Sequence, residues 1–175
     1  MNILVDGYNL IRQVPALHDY ENESLERARE ELIKLLASYR KFKRHKITVI
    51  FDGVLNLSEF APGFKQAGIE VAFSPESKTA DDIIIETVHR SPLSYLVVSS
   101  DQALARKVEH LGASTINSNS FYNKLVQANL MGELDTEESE EKPKRQHKRW
   151  ETYKKGPARR TPKKSRRKKQ IIKKL

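Results

Sequence analysis

The chain has 175 residues and no cysteine, and 32 Lys+Arg against 23 Asp+Glu give it a formal net charge of +9. The lack of cysteine excludes a disulfide framework, a thiolate metal site and a cysteine nucleophile, and no apolar run approaches the ~20 residues that span a bilayer. The expectation is one domain with a real core plus an appended segment, in a cytoplasmic setting with no membrane partner, because strand-like sequence starts almost at Met1 with no basic leader before it.

In chain order, "NILV" is a short β-branched apolar run and predicts a buried strand. It ends abruptly in "DGYN". "NESLERAREELIKLLASYRKFKR" predicts a helix: Leu25, Ala28, Leu32, Leu35, Leu36, Tyr39 and Phe42 recur at spacings of three and four. Its acids crowd the start and its bases the end, as the helix dipole prefers. "KITVIFDG" holds a second strand. "LNLSEFAPGFKQAG" predicts a short helix broken by Pro62 and Gly63. "IEVAF" is a third strand, "TADDIIIETVHR" begins a helix, and "SYLVVSSD" holds a fourth strand. "DQALARKVEHLG" is a helix that Gly112 terminates. "ASTIN" is a weak fifth strand and "SNSFYNKLVQANLM" the last helix.

Charge then separates into blocks. Residues 1–132 hold 15 Lys+Arg and 16 Asp+Glu, residues 133–141 hold six acids and no base, and residues 142–175 hold 17 bases and one acid. Like-charge blocks with few apolar residues cannot offset the entropy of ordering. The reading is a folded domain over 1–132, an acidic linker over 133–141 and a disordered basic tail over 142–175.

Alternating strands and helices, with continuous apolar strands, predict an α/β fold whose mostly parallel sheet is covered on both faces, in the order 3-2-1-4-5. Ligands of such sheets bind beyond the carboxyl ends of the strands. Asp6 follows the first strand, Asp52 the second, Asp81 and Asp82 open the helix after the third, and Asp101 follows the fourth. All five therefore fall at one edge. Like charges ~4 Å apart repel by roughly 4 kcal/mol at an effective dielectric of 20. A cation offsets that repulsion, and oxygen-only donors suit Mg²⁺ or Mn²⁺. Each acid also has a local explanation. Asp6-Gly7 and Asp52-Gly53 are turn pairs, Thr79 to Asp82 has the spacing of a capping box, and Asp101 stands in a first helical turn. Asp6, Asp81 and Asp101 are the preferred candidates, ahead of Asp82 and then Asp52.

"VDGYN", "FDG", "TADD" and "SSD", in this order, resemble the NYN-domain nucleases, in their YacP-like branch within the PIN-like group. The resemblance covers about Met1 to Gln127. It implies a PIN-like α/β/α sandwich and metal-dependent RNA cleavage that leaves 5′-phosphate and 3′-hydroxyl ends. It places the acidic site on Asp6, Asp81 and Asp101, and Asn9 on the motif asparagine. The basic tail lies outside the resemblance.

The expected function is a Mg²⁺- or Mn²⁺-dependent endoribonuclease, with Asp6, Asp81 and Asp101 catalytic and Asp82 helping to hold metal. Asn9 either orients a carboxylate or binds a phosphate oxygen, or is a helix cap or turn residue. Tyr8 is a packing residue or stacks on a base. Arg12 and Lys78 flank the crevice as phosphate partners or as solvated charges. Gly7 is expected to let the backbone turn, and His18 to lie in a loop that can approach the site. The cluster of Arg40, Lys41, Lys43, Arg44 and Lys46 lies at the opposite edge, where dipole compensation explains it. The expected partner is RNA, messenger or structured, including the ribosome's. The tail's bases would anchor phosphates while Trp150 and Tyr153 stack. The main alternative is a non-catalytic RNA-binding or ribosome-associated protein with the same fold. A flap or single-strand DNA nuclease comes behind, because the chain is short for the helices that grip a junction.

Overall fold

The computed structural model describes residues 1–53 and 64–138, with side chains as far as residue 132. The tail expected over 142–175 lies outside the described residues.

The first strand, β1 (Asn2–Asp6), runs through the middle of a six-stranded sheet. Two short helices follow it, α1 (Gly7–Gln13) and α2 (Pro15–Glu23), and then the long α3 (Leu25–Lys43). Strand β2 (Lys46–Phe51) leads to a hairpin of β3 (Phe64–Gln66) and β4 (Ile69–Phe73). Helix α4 (Ala80–Arg90), strand β5 (Tyr95–Val98), helix α5 (Gln102–His110), strand β6 (Ser114–Ile116) and helix α6 (Ser118–Glu138) complete the order.

The sheet order is β3-β4-β2-β1-β5-β6. Every neighbouring pair is parallel except β3 with β4. Without β3, this is the order 3-2-1-4-5 read from the sequence. Each central strand alternates between two cores. Ile3, Val5, Val49, Phe51, Leu96 and Val98 pack on the side of α1, α2, α3 and α6. Leu4, Ile50 and Val97 pack on the side of α4 and α5. Both faces are therefore dry, which is why the strands read as unbroken apolar runs.

Three expectations change. The segment before the first long helix is not a loop: Asp6 and Pro15 begin α1 and α2. The predicted helix through Pro62 and Gly63 gives way, over its described part, to β3 and a two-residue turn in which Ala67 (φ 49°) and Gly68 (φ 82°) both have positive φ. That is the turn geometry matching the twist of antiparallel strands. Finally, α6 continues past Gly132 to Glu138, so the start of the acidic segment is helical.

Candidate active site

The chain passes from β1 through β2 to β4 on one side, then returns to β5 and β6 on the other. The sheet thus switches direction beside β1, where parallel sheets open a crevice at their carboxyl ends. Asp6 is the last residue of β1 and the N-cap of α1. Its Oδ1 accepts from the Asn9 N–H (3.3 Å) and its Oδ2 from the Ser99 hydroxyl (3.0 Å). The side chain is buried, at 7% exposure. Burial pushes its carboxyl up to about 6. The Asn9 and Ser99 hydrogen bonds oppose that rise, and the charges of Asp81 and Asp52 add to it. Gly7 serves here by close approach, not by an unusual φ: a Cβ would lie 2.3 Å from the Phe51 ring. The strand can therefore pass directly into α1 against that ring.

Asp101 is tied to the same point. Its N–H donates to Ser99 Oγ (3.1 Å), so one hydroxyl joins the Asp6 side chain to the Asp101 backbone. Asp101 is the N-cap of α5, its Oδ1 accepting from Ala103 N (2.6 Å) and Leu104 N (3.0 Å). Asn9 fastens the wall behind it. Its Oδ1 accepts from Ser100 N and from Ser118 Oγ, both at 2.8 Å, and Ser118 N donates to Ser100 Oγ (3.1 Å). The Asn9 carbonyl is thus committed to the scaffold. Its amide NH₂ makes no hydrogen bond among the described residues.

The other side of the crevice is less tightly knit. Asp52 Oδ1 accepts from Ala80 N (2.6 Å) at the start of α4. The capping box read from the sequence is present: Thr79 Oγ1 accepts from Asp82 N (3.2 Å), and Asp82 Oδ2 accepts from Thr79 N (3.0 Å). The Thr79 N–H and then the Thr79 hydroxyl (2.9 Å), both donating to Oδ2, hold the exposed Asp82 carboxyl below the usual range, with help from Lys107 and Lys78. Asp81 differs. Half-buried and without a hydrogen bond or ion pair among the described residues, its carboxyl is pushed up by burial, then by Asp101 and Asp52, with Lys107 opposing. Asp6, Asp81 and Asp101 thus come from three separate elements and share one electrostatic field.

The flanking cations are already paired. Arg12 Nε donates to Glu21 Oε1 (3.0 Å), and its guanidinium lies 5.4 Å from the Tyr8 ring centre. Lys78 pairs with Glu86 at 2.5 Å. The Lys78 pair is exposed, and such pairs hold their partners weakly, whereas Glu21 is half-buried under the exposed Arg12. His18 is not in a loop: it lies in α2 and its Nδ1 is 3.1 Å from Glu21 Oε2. Tyr8 packs on Phe51 (ring centres 5.1 Å apart) and its hydroxyl accepts from Arg29 (3.1 Å), which fits the packing role. The sequence reading missed Ser99 as the link between Asp6 and Asp101, and Lys107 as the cation facing Asp81 and Asp82. Ser99 stood in the "SSD" motif. Lys107 is a helix-surface lysine with no local signal.

Among the described residues, no three His, Asp or Glu side chains stand close enough together to hold a metal ion. The donor chemistry nevertheless suits a hard divalent cation. The crevice offers carboxylate oxygens, one acid is buried, one has no partner among the described residues, and both are pushed towards protonation by burial first and then by neighbouring acids. Among the described residues no helix is long and apolar enough to cross a membrane.

Comparison with known proteins agrees with this architecture. The profile of the YacP-like NYN domain matches residues 3–166, which includes most of the basic segment. The match thus runs well past the Gln127 limit of the motif resemblance. The uncharacterized protein YacP of Bacillus subtilis (strain 168) is 37% identical over 84 residues, 47% of this chain and 48% of that protein. The alignment thus spans about half the length of this relative. The crystal structure of Rae1 (YacP) from Bacillus subtilis is similar with a TM-score of 0.68 and 26% identity, covering 79% of this chain and 81% of that one. The crystal structure of a mutant of the same Bacillus subtilis protein gives 0.66 and 25%, covering 79% and 83%.

Proposed function

The chain belongs to the YacP-like NYN family, whose fold is a nuclease fold, and from that premise we propose that it is a metal-dependent endoribonuclease acting at the crevice of Asp6, Asp81 and Asp101. One observation carries the reading: acids from the ends of β1 and β5 and from the start of α4 couple electrostatically across the switch point, and Asp81 among them has no partner among the described residues. A stable fold gains nothing from that crowding, whereas a cation-assisted site uses it.

Asp6, Asp81 and Asp101 would hold Mg²⁺ or Mn²⁺, while Asp82 keeps Oδ2 in the capping box and adds its charge. When bound, the ion supplies an acidified water and neutralises charge on the phosphate. The protein's own part is placement. Ser99 and Asn9 fix Asp6 at the strand end, Ser99 also fixes the Asp101 backbone, and Asn9 braces the Ser100 and Ser118 wall. Rigid strand ends suit this work better than loops. The exposed Arg12 and Lys78 side chains can exchange their glutamate partners for substrate phosphates. The 17 bases of residues 142–175 add sequence-independent RNA affinity, with structured RNA, including ribosomal RNA, or messenger RNA as partner.

The test is incubation of the purified full-length chain with end-labelled RNA in Mg²⁺, in Mn²⁺ and in EDTA, beside Asp6→Asn. Cleavage that needs the ion and the carboxylate supports the reading. RNA bound but never cut in any of these conditions would instead favour the non-catalytic alternative, which fits the absence of a ready metal cluster among the described residues.

A further inference from the structure

Continuous with the acid crevice through Ser99 and Asp101, which line both, a cavity of about 850 Å³ opens where β5 and β6 end, between the N-terminal ends of α5 and α6. That volume lies within the roughly 300–1,000 Å³ of small-molecule sites. Asp101 stands on the lip between crevice and cavity. The cavity is lined by Ser100, Gln102, Asn117, Asn119, Asn123 and Lys124 among others, and by no aromatic side chain. Asn117 Oδ1 is used, accepting from Ser120 N (2.7 Å). Gln102, Asn119 and Asn123 are exposed at its rim and their side chains make no hydrogen bond among the described residues, and the half-buried Lys124 stands there without an acidic partner among them.

We propose that this cavity is a nucleotide-reading subsite, holding the base and sugar of an RNA nucleotide next to the phosphate at the acid crevice. The inference rests on the RNA-cleavage reading and extends it to sequence preference. Side-chain amides each carry both donors and an acceptor, so a ring of three asparagines and a glutamine can match the mixed donor and acceptor edge of a base. Base edges are accessible in this way only when the strand is single. With no aromatic ring to stack on, the grip is through the edge, and an edge grip discriminates between bases where stacking does not. Lys124 and the N-terminal turn of α6, which has no acidic residue, supply positive potential for the adjoining phosphate. A protein helix would need an apolar floor wider than this lining offers, and an acidic peptide more than one lysine. Asn9 connects the subsite to the crevice, because Ser100 and Ser118, its two donors, form the wall between them.

The experiment titrates the ¹⁵N-labelled full-length chain in EDTA with each of the four 5′-ribonucleotides and with inorganic phosphate. The expected result is movement of the Asn119, Asn123 and Gln102 side-chain amide signals, with unequal affinities for the four bases. In Asn123→Ala and in Lys124→Ala the best affinity should weaken by about tenfold, as for the loss of one hydrogen bond to a charged or well-placed group. A cleavage map on a randomised RNA should show a base preference at one fixed distance from the cut that Asn123→Ala flattens. Equal shifts from phosphate and from all four nucleotides, no shifts in the cavity, or unchanged affinity in both variants would overturn the proposal. If the protein cuts no RNA, the parent reading fails while the nucleotide titration still decides the subsite.

Discussion

The two halves of the sheet's carboxyl edge solve the same electrostatic problem differently. On the β1–β5–α6 side, Asp6, Asn9, Ser99, Ser100 and Ser118 are linked by hydrogen bonds, so a buried carboxylate sits in a fixed setting. On the β2–β4–α4 side, Asp52 and Asp82 serve the first turn of α4, and Asp81, between the two, bonds to nothing among the described residues. The difference separates a half whose acid is fixed by hydrogen bonds from a half with an uncommitted acid. One half spends its polar atoms on holding shape, and the other leaves one acid in reserve.

Asp81→Asn should have the largest effect. If Asp81 is the reserve ligand, cleavage should fall by about a hundredfold or more, since even groups that only support metal ligands cost about 10–100-fold. Its melting temperature should hold or rise, because a crowded charge is removed. A labelled-RNA time course beside a thermal melt checks both.

Asp6→Asn probes the scaffold half through pH. The Asp6 carboxyl is raised to about 6 in the folded chain from an ordinary 3.8, so the folded state holds its proton where the unfolded chain has lost it. Stability therefore falls as pH rises from about 4 to about 6, by about 3 kcal/mol at about 1.36 kcal/mol per unit. In EDTA at pH ~7.5 the Asp6→Asn chain should be more stable by about that amount, and the gain should vanish below pH ~4. Its side-chain carbonyl can still accept from Asn9, although its NH₂ must then face the Ser99 hydroxyl as a donor. Urea unfolding at several pH values measures the difference.

Asn9→Ala should have the opposite sign. It strands the fully buried Ser118 hydroxyl and the Ser100 N–H, at a cost of about 2 kcal/mol. Thr79→Ala, which removes only the α4 cap, should cost about 1 kcal/mol and leave cleavage intact. Denaturant midpoints rank the two. Equal costs would mean that the Asn9 network is no more than a cap.

Much of this is legible in the sequence. Strands buried on both faces leave unbroken apolar runs, and their order followed from strand–helix alternation. The family motifs and the edge positions point to Asp6, Asp81 and Asp101, and the fold brings these into one field together with Asp52, ranked last from the sequence. What was hidden depends on distant partners or disguised turns. The β3–β4 turn uses Ala67 at a positive φ where asparagine would have announced it, so the segment passed for a broken helix. The helices α1 and α2 are too short for a clear period, with Asp6 doubling as strand end and cap. The role of Ser99 exists only because β5 lies beside β1, and Lys107 faces Asp81 only across two helices. No local pattern encodes either.

In the proposed mechanism the two halves meet on a cation through Asp81. Calorimetric titration of Mn²⁺ into the full-length chain, beside Asp81→Asn, measures that directly. The expected result is saturable binding by the wild-type chain, weakened at least about tenfold in the variant. Indistinguishable binding by the two chains, or no binding by either, would contradict it.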